Sequence, residues 1–167
     1  IELYSAGRYP VNLEGFQIEV GDGDFYPVYA LSNVWLHAGQ ALLLGGSEVS
    51  GRDQGPDAGF GMPNRGYSGP TAAVRLVATN EGLRVVDCLM YGGNVNNFNS
   101  DGLDTTGWIS ETAYYAGAGS SLYRRYPGHD TDQTGDWHWT NGPTPQNTNF
   151  VFDTDGDGLT DEQEWTG

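Results

Sequence analysis

The sequence contains no lysine: its seven basic residues are all arginine, set against 22 carboxylates in 167 residues, for a net charge of −15. That balance argues against a nucleic-acid partner, which requires a basic face, and against anionic membranes. It suits cation binding and solubility. Cys88 is the single cysteine, so no internal disulfide can form and the chain must find another staple. No stretch approaches the ~20 apolar residues of a membrane-spanning helix. A signal peptide and an initiator methionine are also missing, which leads us to expect a mature or trimmed segment of something longer. Histidine is scarce, with only His37, His129 and His138. The sequence has no G-x-S-x-G, H-E-x-x-H, phosphate-loop or dinucleotide fingerprint, and we therefore expect a protein that is not an enzyme.

What the chain does have in excess is carboxylate at its C-terminal end. Asp153, Asp155, Asp157, Asp161, Glu162 and Glu164 fall within twelve residues. Such a cluster repels itself in water, and as a plain charge run it would be a solvated tail. The spacing favours another reading. Carboxylates at loop positions 1, 3 and 5, a glycine at 6, a backbone carbonyl at 7 and a glutamate at 12 can wrap one Ca²⁺ in oxygen ligands. Asp153, Asp155 and Asp157 supply the first three ligands, and Gly158 permits the sharp turn. The Leu159 carbonyl comes next, Asp161 acts directly or through a water, and Glu164 closes the shell with both oxygens. The segment before the loop, residues 147–152, reads as extended, and only three residues follow it. We expect a calcium loop without the flanking helices of an EF-hand. The run DTDGDGLTDEQE resembles the calcium repeats of thrombospondin type 3 and of many secreted bacterial proteins, where it recurs in tandem.

Ahead of the loop the sequence reads as all-β. Residues 1–4 and 11–20 alternate apolar and polar with period two, the mark of half-buried strands. Residues 25–31 read as a strand that Pro27 confines to a sheet edge. Residues 41–45 form a short apolar run suited to a central sandwich strand. Residues 73–78 and 83–91 read as strands joined by the hairpin chemistry of Asn80-Glu81-Gly82, with Cys88 as a small core residue. Apolar residues never recur with helical spacing over a useful window, so no helix is expected. The most economical arrangement is a sandwich of about seven to nine short strands. Gly-rich loops at 47–70 and 92–119 interrupt it, and loops of that length are usual places for function.

Five blocks taken together carry a resemblance: IELYS with PVNLEGFQI, LHAGQALLLGG, AVRLVATNEGLRVVDCLMYG, SSLYRR with DTD and DWHW, and TPQNTN. In this order they resemble the lamin tail domain, over roughly residues 1–149, leaving residues 150–167 as the calcium-loop segment. Ser5 and Gln146 depart from the family pattern. The resemblance implies an immunoglobulin-like β-sandwich that binds and scaffolds without catalysing. The family also carries a strand ahead of IELY, which this sequence lacks. That implies a sheet edge to be completed by a protein partner or a neighbouring domain.

Three further possibilities come from the residues themselves. Asp22 and Asp24, in a glycine turn, and His129, Asp130 and Asp132, in RRYPGHDTD, are candidates for a second metal. Each group reads more readily as a structural turn. Arg124 and Arg125 are expected to pair with acids and not to bind phosphate. Trp108, Trp137, Trp139, Tyr114 and Tyr115 could stack on sugar rings, giving a possible glycan partner. However, Trp137 and Trp139 sit two apart on one strand face and suit a core or rim equally well. The sequence as a whole points to an extracellular or cell-surface calcium-binding module for adhesion, anchoring or assembly. The alternatives are a carbohydrate-binding accessory module and a filament subunit.

Overall fold

A computed structural model of the chain describes residues 1–21, 24–57, 59–62, 71–92, 106–109, 112–113, 117, 119–126 and 128–143. The described residues are all-β, in several antiparallel sheets consistent with a β-sandwich. They contain ten strands and one 3₁₀ turn, Thr134–Asp136. The strands are β1 (Glu2–Tyr4), β2 (Val11–Asn12), β3 (Phe16–Gly21), β4 (Phe25–Ala30), β5 (Trp35–Leu36), β6 (Ala41–Leu43), β7 (Ala72–Ala78), β8 (Arg84–Tyr91), β9 (Ser121–Arg124) and β10 (Trp137–Thr140). A four-stranded sheet of order β4-β3-β7-β8 is joined by three two-stranded ribbons, β1-β6, β2-β5 and β9-β10.

The four-stranded sheet is buried on both faces. Alternation puts Ile18 of β3 beside Leu76 of β7, and Val20 beside Val74, on one face. That face packs into a cluster of Leu13, Ile18, Leu31, Leu36, Leu42, Leu44 and Phe60, contributed largely by the ribbons β1-β6 and β2-β5 and the chain beside them. On the opposite face Ala73 lies beside Met90, and Cys88 lies beside Arg75. Here a second cluster gathers Ala73, Cys88, Met90, Trp108 and Ala113, with Leu122 and Trp137 of β9-β10 packed against it. Each fully buried Leu, Ile or Met side chain contributes about 1.5–3 kcal/mol. Cys88 is a small core residue, as its sequence context suggests.

Polar groups on the second face must be paired, because no water reaches them. Glu19 of β3 and Arg75 of β7 are direct cross-strand neighbours. Their side chains are 5% and 7% exposed, and Arg75 Nε donates to Glu19 Oε2 at 2.7 Å. Gln17 Nε2 donates to the other oxygen of Glu19 at 2.7 Å. The Phe25 ring covers the guanidinium, with its centroid 3.7 Å from Cζ. The sequence reading did not single out this pair.

Three strand expectations need correction or refinement. Residues 11–20 do not run as one strand. They break between Leu13 and Gly15, where Gly15 takes φ +81°. The Gly15 carbonyl accepts from the Thr79 backbone N–H at 2.8 Å and from its hydroxyl at 2.9 Å. Asn80 Nδ2 donates to the Glu14 carbonyl at 3.0 Å. This stitching ties the turn to the far end of β7 and decides the break, which alternation alone does not register. The run 41–45 is buried but not central. β6 pairs with β1 alone, and on its other side Leu43 N–H donates to Asp53 Oδ2 at 2.8 Å while the Asp53 N–H donates to the Leu43 carbonyl at 2.9 Å. A loop segment thus takes the place of a neighbouring strand. β4 does lie at the edge of its sheet, and Pro27 sits opposite Glu19 where the register shifts, so the missing N–H breaks no ladder bond in the middle of the sheet. The hairpin β7-β8 turns through residues 79–83 as its Asn-Glu-Gly chemistry suggests.

Substitution of Gly15 tests the stitched turn. A Cβ there would lie 1.7 Å from Asn80 Oδ1, on a backbone that L-residues rarely adopt. Gly15→Ala should destabilise the fold by about 2 kcal/mol or more. Urea denaturation checks this, and an unchanged midpoint would mean that the turn is not a determinant.

Candidate functional site

The residues expected to hold calcium, Asp153, Asp155, Asp157, Leu159, Asp161 and Glu164, lie outside the described residues. Their donor chemistry is that of a hard cation: carboxylate oxygens and one carbonyl in the order that a twelve-residue calcium loop uses. Asp22, Tyr114 and Tyr115 also lie outside the described residues. Asp24 is described and immediately precedes β4.

The RRYPGHDTD segment is described except for Pro127, and its described residues form a structural turn. Among the described residues no group of three His, Cys, Asp or Glu side chains is placed to hold a metal ion. Asp130 is instead engaged by Arg124 Nη1 at 3.0 Å and by the Asp132 backbone N–H at 3.1 Å. Asp132 takes φ +56°, which aspartate tolerates better than most residues, and its carbonyl accepts from Ile109 N–H at 2.9 Å. The Asp136 carboxylate fastens the turn from inside. Its oxygens accept from Thr131 N–H at 2.7 Å, the Thr131 hydroxyl at 2.8 Å and Gln133 N–H at 3.3 Å, and its side chain is 3% exposed.

Arg124, at the end of β9, connects this turn to the main sheet. Its Nη2 donates to Asp87 Oδ1 of β8 at 2.5 Å, and its Nη1 donates to the His129 carbonyl at 3.2 Å and lies 3.7 Å from Asp136. The guanidinium also stands over the Trp137 ring, 4.8 Å from the centroid. The expectation that Arg124 pairs with acids is therefore met three times over. Burial works against the charge on Arg124, but Asp87 and Asp130 outweigh it and hold its pKa above the ordinary value. Burial pushes the Asp87 carboxyl up, against the pull of Arg124. At Asp136 burial also acts upward. The hydrogen bonds from Thr131 and Gln133 and the charge of Arg124 prevail, and the carboxyl titrates below the ordinary aspartate range.

The tryptophans expected to offer a sugar platform are placed differently from one another. Trp108 is buried in the second core cluster, and Trp137 packs half-buried against that cluster. Among the described residues, the Trp137 indole N–H and the buried Thr112 hydroxyl have no hydrogen-bond partner. Trp139, on the same strand face as Trp137, is 49% exposed. The set does not form one aromatic surface. The sequence reading missed the opposite, outward face of the ribbon, where Tyr123 of β9 lies directly across from His138 of β10. Alternation about Leu122 and Trp137 carried that signal.

Comparison with protein families, with curated proteins and with solved structures finds no match for this chain.

The sign of the Asp136 shift sets a pH test. A carboxylate with a depressed folded-state pKa stabilises the fold above its unfolded pKa, and that stabilisation is lost as the pH falls through the folded value. Asp136→Asn should cost about 1–3 kcal/mol at neutral pH, the scale of hydrogen bonds to a charged group. The difference from the parent should shrink below about pH 4, where the unfolded aspartate takes up its proton. Melting temperatures from pH 7 to pH 2.5 check this, and a constant offset would show that the charge of Asp136 does not matter.

Proposed function

We propose that this chain is a non-enzymatic, extracellular calcium-binding module that serves adhesion, anchoring or assembly within a larger surface or secreted protein. In this reading residues 1–149 are a lamin-tail-like domain of immunoglobulin-like type, and residues 150–167 carry the ion. The observation that carries the proposal is the register of Asp153, Asp155, Asp157, Gly158, Leu159, Asp161 and Glu164, which meets every constrained position of a calcium loop. Three further features support it. The described residues are all-β, as a lamin-tail sandwich requires. A chain with one cysteine has no internal disulfide to order its end, a task a bound cation can take over. A net charge of −15 raises the local concentration of divalent cations.

When bound, Ca²⁺ supplies charge neutralisation and a fixed geometry. Asp153, Asp155, Asp157 and Glu164 would cancel their mutual repulsion on it, and the Leu159 carbonyl and Asp161 would complete the oxygen shell. Whatever adjoins the loop would then be held at a defined angle to the sandwich. Calcium modules of extracellular proteins bind at roughly 10⁻⁴–10⁻³ M, which matches extracellular calcium and not resting cytosol.

Isothermal titration of Ca²⁺ into chelator-stripped protein tests this reading. One saturable site is expected, and it should be lost in Asp155→Ala. Ligand linkage predicts a stabilisation of about 2.7 kcal/mol at a calcium concentration one hundred times the Kd, if folding of the sandwich is coupled to the loop. Absence of heat together with an unchanged melting temperature would reduce residues 153–164 to an acidic tail.

A further inference from the structure

The outward face of the β9-β10 ribbon combines exposed aromatic and imidazole rings with an exposed arginine on a protein that is otherwise strongly acidic. Tyr123 and His138 are cross-strand partners, their ring centroids 6.2 Å apart and inclined at 40°. Tyr123 is 39% exposed, and His138 is exposed as well. Two residues further on, Arg125 sets its guanidinium over the Tyr126 ring at 5.2 Å. His129 meets the same ring edge-on, with centroids 6.3 Å apart. The Arg125 backbone N–H donates to the Asp136 carbonyl at 2.7 Å, so the ribbon's pairing continues beneath this group and holds it on a firm base.

The other arginines show why this face is unusual. Arg52 is spent on the Gly45, Gly55 and Pro56 carbonyls, Arg75 is buried against Glu19, and Arg124 is bound to Asp87 and Asp130. Arg8 and Arg84 are exposed but stand against no aromatic ring among the described residues. Among the described residues, Arg125 alone is both exposed and stacked. A stacked guanidinium keeps its fork of donors open at the edge, which suits bidentate recognition of a carboxylate. Tyr and His rings offer π faces to the C–H-rich faces of pyranose rings.

We propose that Tyr123, His138, Arg125, Tyr126 and His129 form a binding face for an acidic polysaccharide of the uronic-acid class. The sugar rings stack on Tyr123 and His138, and a uronate carboxylate is held by Arg125. The Arg125 guanidinium is the local cation that lets such a ligand approach a chain of charge −15. The proposal uses none of residues 153–164 and does not rest on that reading.

Affinity electrophoresis of the full chain through gels containing polygalacturonate, in the presence of chelator, tests the proposal. Chelator removes calcium bridging, so the outcome is independent of residues 153–164. Retardation by polygalacturonate is expected, with none by neutral dextran or by poly-glutamate. Arg125→Ala and His138→Ala, both exposed positions whose melting temperatures should stay near the parent's, should each weaken binding at least tenfold. Arg125→Lys should fall between parent and Arg125→Ala, because it keeps the charge and loses the fork. Failure of polygalacturonate to retard the chain would overturn the proposal. So would retardation unchanged in both alanine variants, equal retardation by dextran, or equal retardation by poly-glutamate, the last pointing to an acidic peptide.

Discussion

A sheet buried on both faces can carry polar side chains only if each finds its partner within the protein, and the Glu19–Arg75 pair meets that condition at the middle of the four-stranded sheet. It joins β3 to β7 side by side, with Gln17 taking the second carboxylate oxygen and Phe25 covering the guanidinium. A well-packed apolar pair of similar volume could be as stable, but removing one partner would strand a charge without water. With this pair satisfied, both faces become available for packing. One receives the ribbons β1-β6 and β2-β5 through the leucine-rich cluster, and the other receives Trp108, Ala113 and the ribbon β9-β10.

The ribbon β9-β10 is held by a different device. It is not a member of the four-stranded sheet, so backbone ladder bonds do not anchor it there. Leu122 and Trp137 pack inward, and Arg124 reaches across to Asp87 while gripping the turn through Asp130 and Asp136. Among the described residues the anchoring contacts lie on the inward face, and the outward side chains of the ribbon carry none of them. Tyr123, His138 and Arg125 are therefore available for recognition in a way that Trp108 and Trp137 are not. The two proposals thus use separate parts of the chain with opposite charge: an acidic segment for a cation and a cationic, aromatic face for an acidic glycan.

Much of the fold was legible in the sequence because strand formation leaves a local record. Alternation marked β1 and β3, Pro27 marked an edge, and Asn80-Glu81-Gly82 marked the β7-β8 hairpin. The absence of helical spacing agrees with the absence of an α-helix among the described residues. The misreadings share one cause. The break at Gly15 is decided by hydrogen bonds from Thr79 and Asn80, more than sixty residues away, and the flank of β6 is decided by Asp53. A window of ten residues holds no information about either.

The candidate sites divide along the same line. The proposed calcium loop is a local pattern, since one short segment would supply all its ligands, and its donor chemistry can be read from residue order alone. The fate of RRYPGHDTD could not be read that way. Two carboxylates and a histidine are compatible with a metal until Arg124 and the Asp132 backbone N–H take up Asp130. The tryptophans likewise look alike in sequence and differ only by what packs on them. Thus the sequence by itself determined strand character, the β7-β8 turn and the order of the acidic ligands, which depend on neighbours in the chain. The tertiary structure decided which polar groups are already satisfied and which faces remain open, because hydrogen-bond pairing and burial depend on residues distant in sequence.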